Sequence, residues 1–169
     1  PNYRLQQALQ PMRNTYSPQP GFYLGTGMSV PPTPNIFTPS RSDLVWRGDG
    51  GFNRWDVGVS SNWFNGAGSA VFSQSNRVIF DNDGLSPVNL NGALEPDEVT
   101  FLADNDYVVG GGGSLAGATR LVKWGAGRLS LNNTNNYTGG TTVAKGALLV
   151  QGHLAGSVVV VVGEGQLGG

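Results

Sequence analysis

Few side chains in this sequence are of a kind that does chemistry, and their spacing decides what they are for. His153 is the only histidine. A serine–histidine or metal–water mechanism needs a base and an orienting partner. No acid lies close to His153 in sequence, and its place after Gly152 marks a surface residue at a turn. Paired aspartates at i, i+2 occur in "FDNDG" (Phe80 to Gly84) and "ADNDY" (Ala103 to Tyr107). Oxygen clusters of this kind suit Ca²⁺. The EF-hand spacing fails, however, because position 92, eight residues after Gly84, is a glycine. Asx turns that close strand ends account for both pairs. Trp46, Trp55 and Trp63 crowd into a stretch rich in Gly, Asn and Ser. Exposed indole faces stack on sugars, which makes these three the candidate ligand-binding residues; buried, they would instead plug a core. The sequence calls for no metal and no cofactor.

Composition narrows the elements that could position such residues. The chain has 169 residues, enough for one domain with a sizeable core. Glycine accounts for 27 of them and charged residues for only 12%, about half the usual share. Cysteine is absent, so disulfides and thiolate chemistry are excluded. The net charge of −1 carries no footprint for nucleic acid, which needs a basic patch. No apolar run approaches the ~18 residues of a membrane helix. The sequence opens on proline and closes on Gly168-Gly169, and we expect it to be an excerpt of a longer protein.

Eight of the ten prolines precede Ser40. Each fixes φ and removes a donor, so "QPGFYLGTGMSVPPTPNIFTPS" is neither helix nor central strand. Only "NYRLQQALQPM" has helical character, with Leu5 and Leu9 at i, i+4. Residues 1–43 therefore read as a Pro-rich linker or an extended arm, its aromatics (Tyr16, Phe22, Tyr23, Phe37) favouring a docked arm. From Leu44 onward short β-rich runs follow one another, bounded by Gly, Asn or Asp: "DLVWRG", "AVFSQ", "NRVIFDN", "SPVNLNG", "EVTFLAD", "DYVVGG", "TRLVKWG", "GRLSLNN", "TTVAKG", "GALLVQG" and "SVVVVVGEG". Residues 44–100 read as a Trp-rich N-terminal cap with the first rungs, and 101–169 as repeats.

The repeat is legible at Gly127, Gly146 and Gly165, each heading a run with Leu129, Leu148 and Leu167 in register. Thr141 falls loosely against Ser157. A period of about 20 residues fits a coil of short strands with tight corners. Gly and Asn would supply those corners in left-handed conformations, the Asn132-Asn133 and Asn135-Asn136 pairs among them. Period-2 alternation points Leu129, Leu131, Val143, Leu148 and Val150 inward, with Leu129 stacked on Leu148.

"KWGAGRLSLNNTNNYTGGTTVAKGALLVQG", residues 123–152, resembles the passenger-associated strand repeat of bacterial autotransporters. The pattern is carried by Lys123, Gly125, Gly127, Leu129, Leu131, Asn135/Asn136, Tyr137, Gly139/Gly140, Thr141/Thr142, Val143, Gly146 and Leu148. Upstream, residues 45–83 resemble the Trp-rich opening block that often precedes such repeats. The resemblance implies an all-β fold, a right-handed parallel β-helix, preceded here by the cap and the arm. It also implies export across both bacterial membranes to the cell surface or beyond. The partner it implies is a C-terminal outer-membrane β-barrel of the same parent chain. "GTGMSVP" (Gly25 to Pro31) resembles the serine-nucleophile loop of subtilisin-like proteases, but Gly27 stands where the serine must be. "PPTPNIFTP" forbids the helix that should follow.

Together these features describe a non-catalytic stem that supports surface-exposed domains. Two other readings stay open: an adhesin or glycan-binding module acting on a host protein or glycan through Trp46, Trp55 and Trp63, and a non-catalytic fragment of an autotransporter enzyme whose active site lies upstream.

Overall fold

The computed structural model describes residues 43–169. The arm, the Leu5/Leu9 helix and the Gly25–Pro31 loop lie outside the described residues. Within them the chain is all β, with no α-helix. The first strands are β1 (Asp43–Trp46), β2 (Arg54–Trp55), β3 (Trp63–Phe64) and β4 (Ser69–Ala70). Three turns of three strands follow: β5 (Arg77–Phe80), β6 (Val88–Leu90) and β7 (Ala93–Leu94); β8 (Glu98–Phe101), β9 (Tyr107–Gly111) and β10 (Ser114–Leu115); β11 (Arg120–Lys123), β12 (Arg128–Leu131) and β13 (Thr134–Asn135). The last are β14 (Thr141–Val150), β15 (His153–Leu154) and β16 (Val159–Gly168).

These strands wind into a β-solenoid of about four turns. One wall stacks β1, β5, β8, β11 and the first half of β14 in parallel. A second wall stacks β2, β6, β9, β12 and the second half of β14, also in parallel. β16 lies parallel along the whole of β14. Short pairs, β7 with β10 and β13 with β15, make the third side.

In-register stacking is what such a coil needs, because each rung pairs its backbone only with its neighbours. Leu121 lies over Thr141 and Thr141 over Val159. Leu129 lies over Leu148, and Leu148 over Leu167, as the repeat predicts. Leu129, Leu131, Val143 and Leu148 are fully buried, and Val150 packs partly buried against the same core. Leu148→Ala is expected to cost ~2–5 kcal/mol, since the cavity has β-ladders on both sides and cannot collapse. A urea melt would read it; a loss below about 0.5 kcal/mol, the usual bound for surface changes, would contradict the register.

Several features differ from the sequence reading. "TTVAKG" and "GALLVQG" form a single strand, which turns the corner between walls at Gly146, φ 69°. Thr141 pairs with Val159 rather than Ser157; the ladder slips between Val143 and Lys145, and Ser157 meets Thr141 through its hydroxyl, 2.9 Å from Thr141 Oγ1. "AVFSQ" contributes only Ala70 to a strand, β4. The first turn is not purely parallel, because β3 runs antiparallel to both β1 and β4. Finally, none of the Asn pairs is left-handed. Asn133 and Asn135 instead face the interior, 7% and 0% exposed, where hydrogen-bonding side chains serve better than a bend.

Candidate functional site

Trp46, Trp55 and Trp63 come together at the first turn. Trp46 lies directly opposite Trp63 across the β1–β3 pair. The Trp46 and Trp63 rings meet edge to face at 4.9 Å, and those of Trp55 and Trp63 at 5.1 Å. Phe72 joins them 5.4 Å from Trp55. Phe80 then carries the aromatic column into the next turn, stacked at 4.3 Å on Phe101, with Tyr107 closing its edge at 5.4 Å. Phe80 and Phe101 are Cα partners on adjacent rungs, so the column follows from the register. The three tryptophans are 0%, 0% and 1% exposed. Their faces are therefore covered by other rings and not presented to solvent. Trp46 Nε1 donates to Leu85 O at 2.8 Å, which ties the cluster to the loop beside it.

The charged residues form ladders across rungs. Arg77, Glu98 and Arg120 are in register on successive strands, and both guanidiniums bond the Glu98 carboxylate, Arg77 at 3.0 Å. Burial pushes the Glu98 carboxyl up, but hydrogen bonds from Arg77, Arg120 and Thr100 outweigh it, and the group stays below its ordinary value. Glu98 thus contributes stability that is present above the normal carboxyl range and is lost as pH falls through it.

The aspartates of "FDNDG" and "ADNDY" do more than close their own turns. Asp81 accepts from Asp83 N in a local Asx turn. Asn82 Oδ1 accepts from Asp104 N at 2.7 Å, and Asp104 Oδ1 from Ala126 N at 2.7 Å. Asp106 Oδ1 accepts from Arg128 N at 2.8 Å. The polar corner therefore steps up the solenoid rung by rung. Among the described residues no group of three or more His, Cys, Asp or Glu side chains could hold a metal ion.

Three motif residues have structural partners that spacing alone did not reveal. Lys123 faces the interior at 1% exposure, its ammonium donating to Gly125 O and, at 3.4 Å, to Lys145 O. One cation thus binds the carbonyls of two successive corners. Burial pushes its pKa down, and Asp104 and Asp106 oppose that shift. Asn135 Oδ1 accepts from Leu115 N at 2.8 Å, replacing a backbone rung contact. Tyr137 is buried with its hydroxyl 2.6 Å from Thr141 Oγ1. The signal for Lys123 was its own position: an even step from Leu121 in an alternating strand puts both on one face.

Burial also raises the phenols of Tyr107 and Tyr137 above the ordinary value. Below that value both folded and unfolded chains hold the proton. Above about pH 10 the unfolded chain releases it while the fold keeps it, so stability falls as pH rises. Tyr107, whose hydroxyl donates to Asp81 O at 2.8 Å, has the larger shift. Tyr107→Phe is expected to lower stability at pH 7 yet flatten its decline between pH 10 and 12, read by urea melts across that range. An unchanged slope would contradict the burial argument.

His153 lies exposed on β15 beside Thr134. An open cleft of about 630 Å³ is lined by glycines 92 and 111–113 with Asn133 and Thr134 among its polar rim, and no titratable side chain lines it. The described residues assemble no nucleophile, base and orienting group.

The fold and its ladders define a β-solenoid repeat segment of general structural role, of the kind typical of autotransporter passenger domains. Residues 121–150 match the passenger-associated-transport-repeat family model. Neither the curated proteins nor the solved structures contain a match to the chain.

Proposed function

We propose that this chain is a stem segment of a bacterial autotransporter passenger: a right-handed solenoid, closed at its N-terminal end by Trp46, Trp55 and Trp63, that holds other domains away from the cell surface. The observation that carries this reading is the continuous in-register stack Leu129, Leu148 and Leu167, whose first two members lie inside the segment that matches the repeat family. A stack in which each rung needs only its predecessor can fold as it emerges from a pore, with few charges to desolvate on the way. The family then supplies the remaining expectations: a C-terminal outer-membrane β-barrel in the parent chain, export through the periplasm, and residence at the cell surface.

Deleting residues 77–140 in frame from the parent protein tests the stem role. Surface display of the domains joined to it, measured by protease accessibility on intact cells, should drop. Full display would remove the stem reading. The cap is tested by fluorescence. Of the four tryptophans, only Trp124 is exposed, at 60%. Acrylamide should quench a minor fraction of the emission, and Trp124→Phe should abolish that fraction. Broad quenching that glycans relieve would favour an adhesin acting through the cluster instead.

A further inference from the structure

At the corner between the second wall and the third side, successive rungs differ in length. Val109 and Ser114 are joined by four residues, Gly110 to Gly113, whereas Leu131 and Thr134 on the next rung are joined by only two, Asn132 and Asn133. The pairing of Leu131 with Val109 fixes one end of this comparison. The bond from Asn136 N to Leu115 O, which sets Thr134 beside Ser114, fixes the other. The preceding rung repeats the long form, since Val88 pairs with Val109 and Ala93 with Ser114. The following rung repeats the short form, since Val150 pairs with Leu131 and His153 with Thr134. The two long corners therefore project past the two short ones, and the open cleft of about 630 Å³ lies at the step, lined from both. Asn133 Nδ2 spans the step from inside, donating to Gly113 O at 2.8 Å.

Two glycines of the projecting corner are required by the fold. Gly111 has φ 96°, and a Cβ on Gly113 would lie 2.5 Å from Gly92 O. Gly112 is different. Its φ lies outside the left-handed region, and a Cβ there would have nothing within 4 Å. The position opposite it on the preceding rung, between the Leu90–Gly111 and Ala93–Ser114 pairs, carries the side chain of Asn91. Glycine costs conformational entropy wherever the fold does not use its freedom. What Gly112 preserves is the open space of the cleft. Beside that bare backbone stand Ser114, Thr134 and Asn136. Period-2 alternation turns Thr134 and Asn136 outward, while Asn133, Asn135 and Tyr137 are buried. The side chains of Ser114, Thr134 and Asn136 make no hydrogen bond to any described residue.

We propose that this cleft binds a short neutral oligosaccharide, held by the hydroxyls of Ser114 and Thr134 and the amide of Asn136 over the bare backbone at Gly112. The lining selects the class of ligand. No charged side chain lines the cleft, so it offers nothing to a phosphate, a sulfated glycan or a nucleic acid. No aromatic or branched aliphatic side chain lines it, so an apolar ligand gains little there. A peptide would bind by adding a strand to a free edge. Here β7 pairs with β10 and β13 with β15 along the solenoid axis. The β10 groups that face β13 are also bonded, Leu115 O to Asn136 N and Leu115 N to Asn135 Oδ1. Sugar hydroxyls both donate and accept, which matches hydroxyl and amide side chains. With no ring to stack on a sugar face, binding is weak, in the millimolar range. The site uses none of Trp46, Trp55 and Trp63, whose rings are covered.

The test titrates the full chain with maltohexaose, cellohexaose and mannohexaose in turn, each at millimolar concentration, and follows its backbone amide resonances by NMR. A heparin hexasaccharide is the anionic control. At least one neutral probe should shift the amides of Gly112, Ser114, Thr134 and Asn136, and heparin should leave them in place. Gly112→Leu fills the cleft and should weaken that binding by about tenfold or more, while unfolding in urea as the parent does. Asn136→Ala removes one outward hydrogen-bonding group and should weaken it by about three- to tenfold. Unmoved amides with all three neutral probes would overturn the proposal. So would binding unchanged in both variants, or heparin shifting the same amides as strongly. A Gly112→Leu chain clearly less stable than the parent would assign that glycine to the fold and overturn the inference as well. None of these readouts involves surface display, so this proposal and the stem reading fail separately.

Discussion

Trp63→Ala is expected to destabilise the solenoid by about 3–5 kcal/mol, the range for emptying a buried large aromatic site. Trp63 is the hub of the aromatic cluster: its ring lies 4.9 Å from Trp46, 5.1 Å from Trp55, 5.8 Å from Phe80 and 6.0 Å from Phe72. Removing it strips contacts from four neighbours at once, and each well-oriented aromatic pair is worth roughly 0.5–1.5 kcal/mol beyond its buried area. Domains have only about 5–15 kcal/mol of net stability, so the variant sits near its unfolding threshold. Trp63→Phe, which keeps most of the ring contacts, should lose less than half as much. Urea melts of the three proteins check this, and a Trp63→Ala loss equal to that of Trp63→Phe would show that the ring contacts contribute little.

The alternation of apolar residues in "GRLSL" and "GALLV", together with their common spacing, was enough to place Leu129 over Leu148 and to read a solenoid. Those signals are local: a strand's face is set by its own period of two, and the rung length by the repeat. What the sequence did not disclose depends on partners one rung away. Asp104 and Asp106 looked like local turns, because a side chain bonded to the next rung's backbone has the same composition as one bonded to its own. In the sequence Lys123 reads only as a position of the motif: its even step from Leu121 gives the face, but the partners of its ammonium are seen only once the carbonyls of Gly125 and Lys145 converge on it. The antiparallel start was hidden for a different reason. β3 and β4 are two residues long, too short for any periodicity; β3 is held by the ring contacts of Trp63, and β4 by its pairing with β3. The tryptophan cluster and its burial were legible in the sequence, while the rings that cover it, Phe72 and Phe80, arrive from later in the chain.

Gly146→Ala is expected to be among the most damaging single-methyl changes in the molecule, costing more than about 4 kcal/mol. Two independent penalties meet at this residue. Its φ of 69° lies in the left-handed region, where a Cβ costs roughly 1–2 kcal/mol. The new methyl would also sit 2.5, 2.6 and 2.7 Å from the carbonyl oxygens of Gly127, Gly125 and Ala126. These are backbone atoms of the rung below, held by the β12–β14 ladder, so they cannot turn aside as a flexible side chain would. Relief requires the two rungs to separate at the corner, which would also pull Lys145 O away from Lys123. Gly92→Ala separates the two penalties, because Gly92 has φ 88° but nothing within 4 Å of a Cβ. It should pay the conformational cost alone, about 1–2 kcal/mol. Thermal and urea unfolding of both variants give the comparison. Equal losses would mean that backbone conformation, and not the close approach of successive rungs, makes glycine necessary at this corner; a Gly146→Ala loss at least twice that of Gly92→Ala is the expected result.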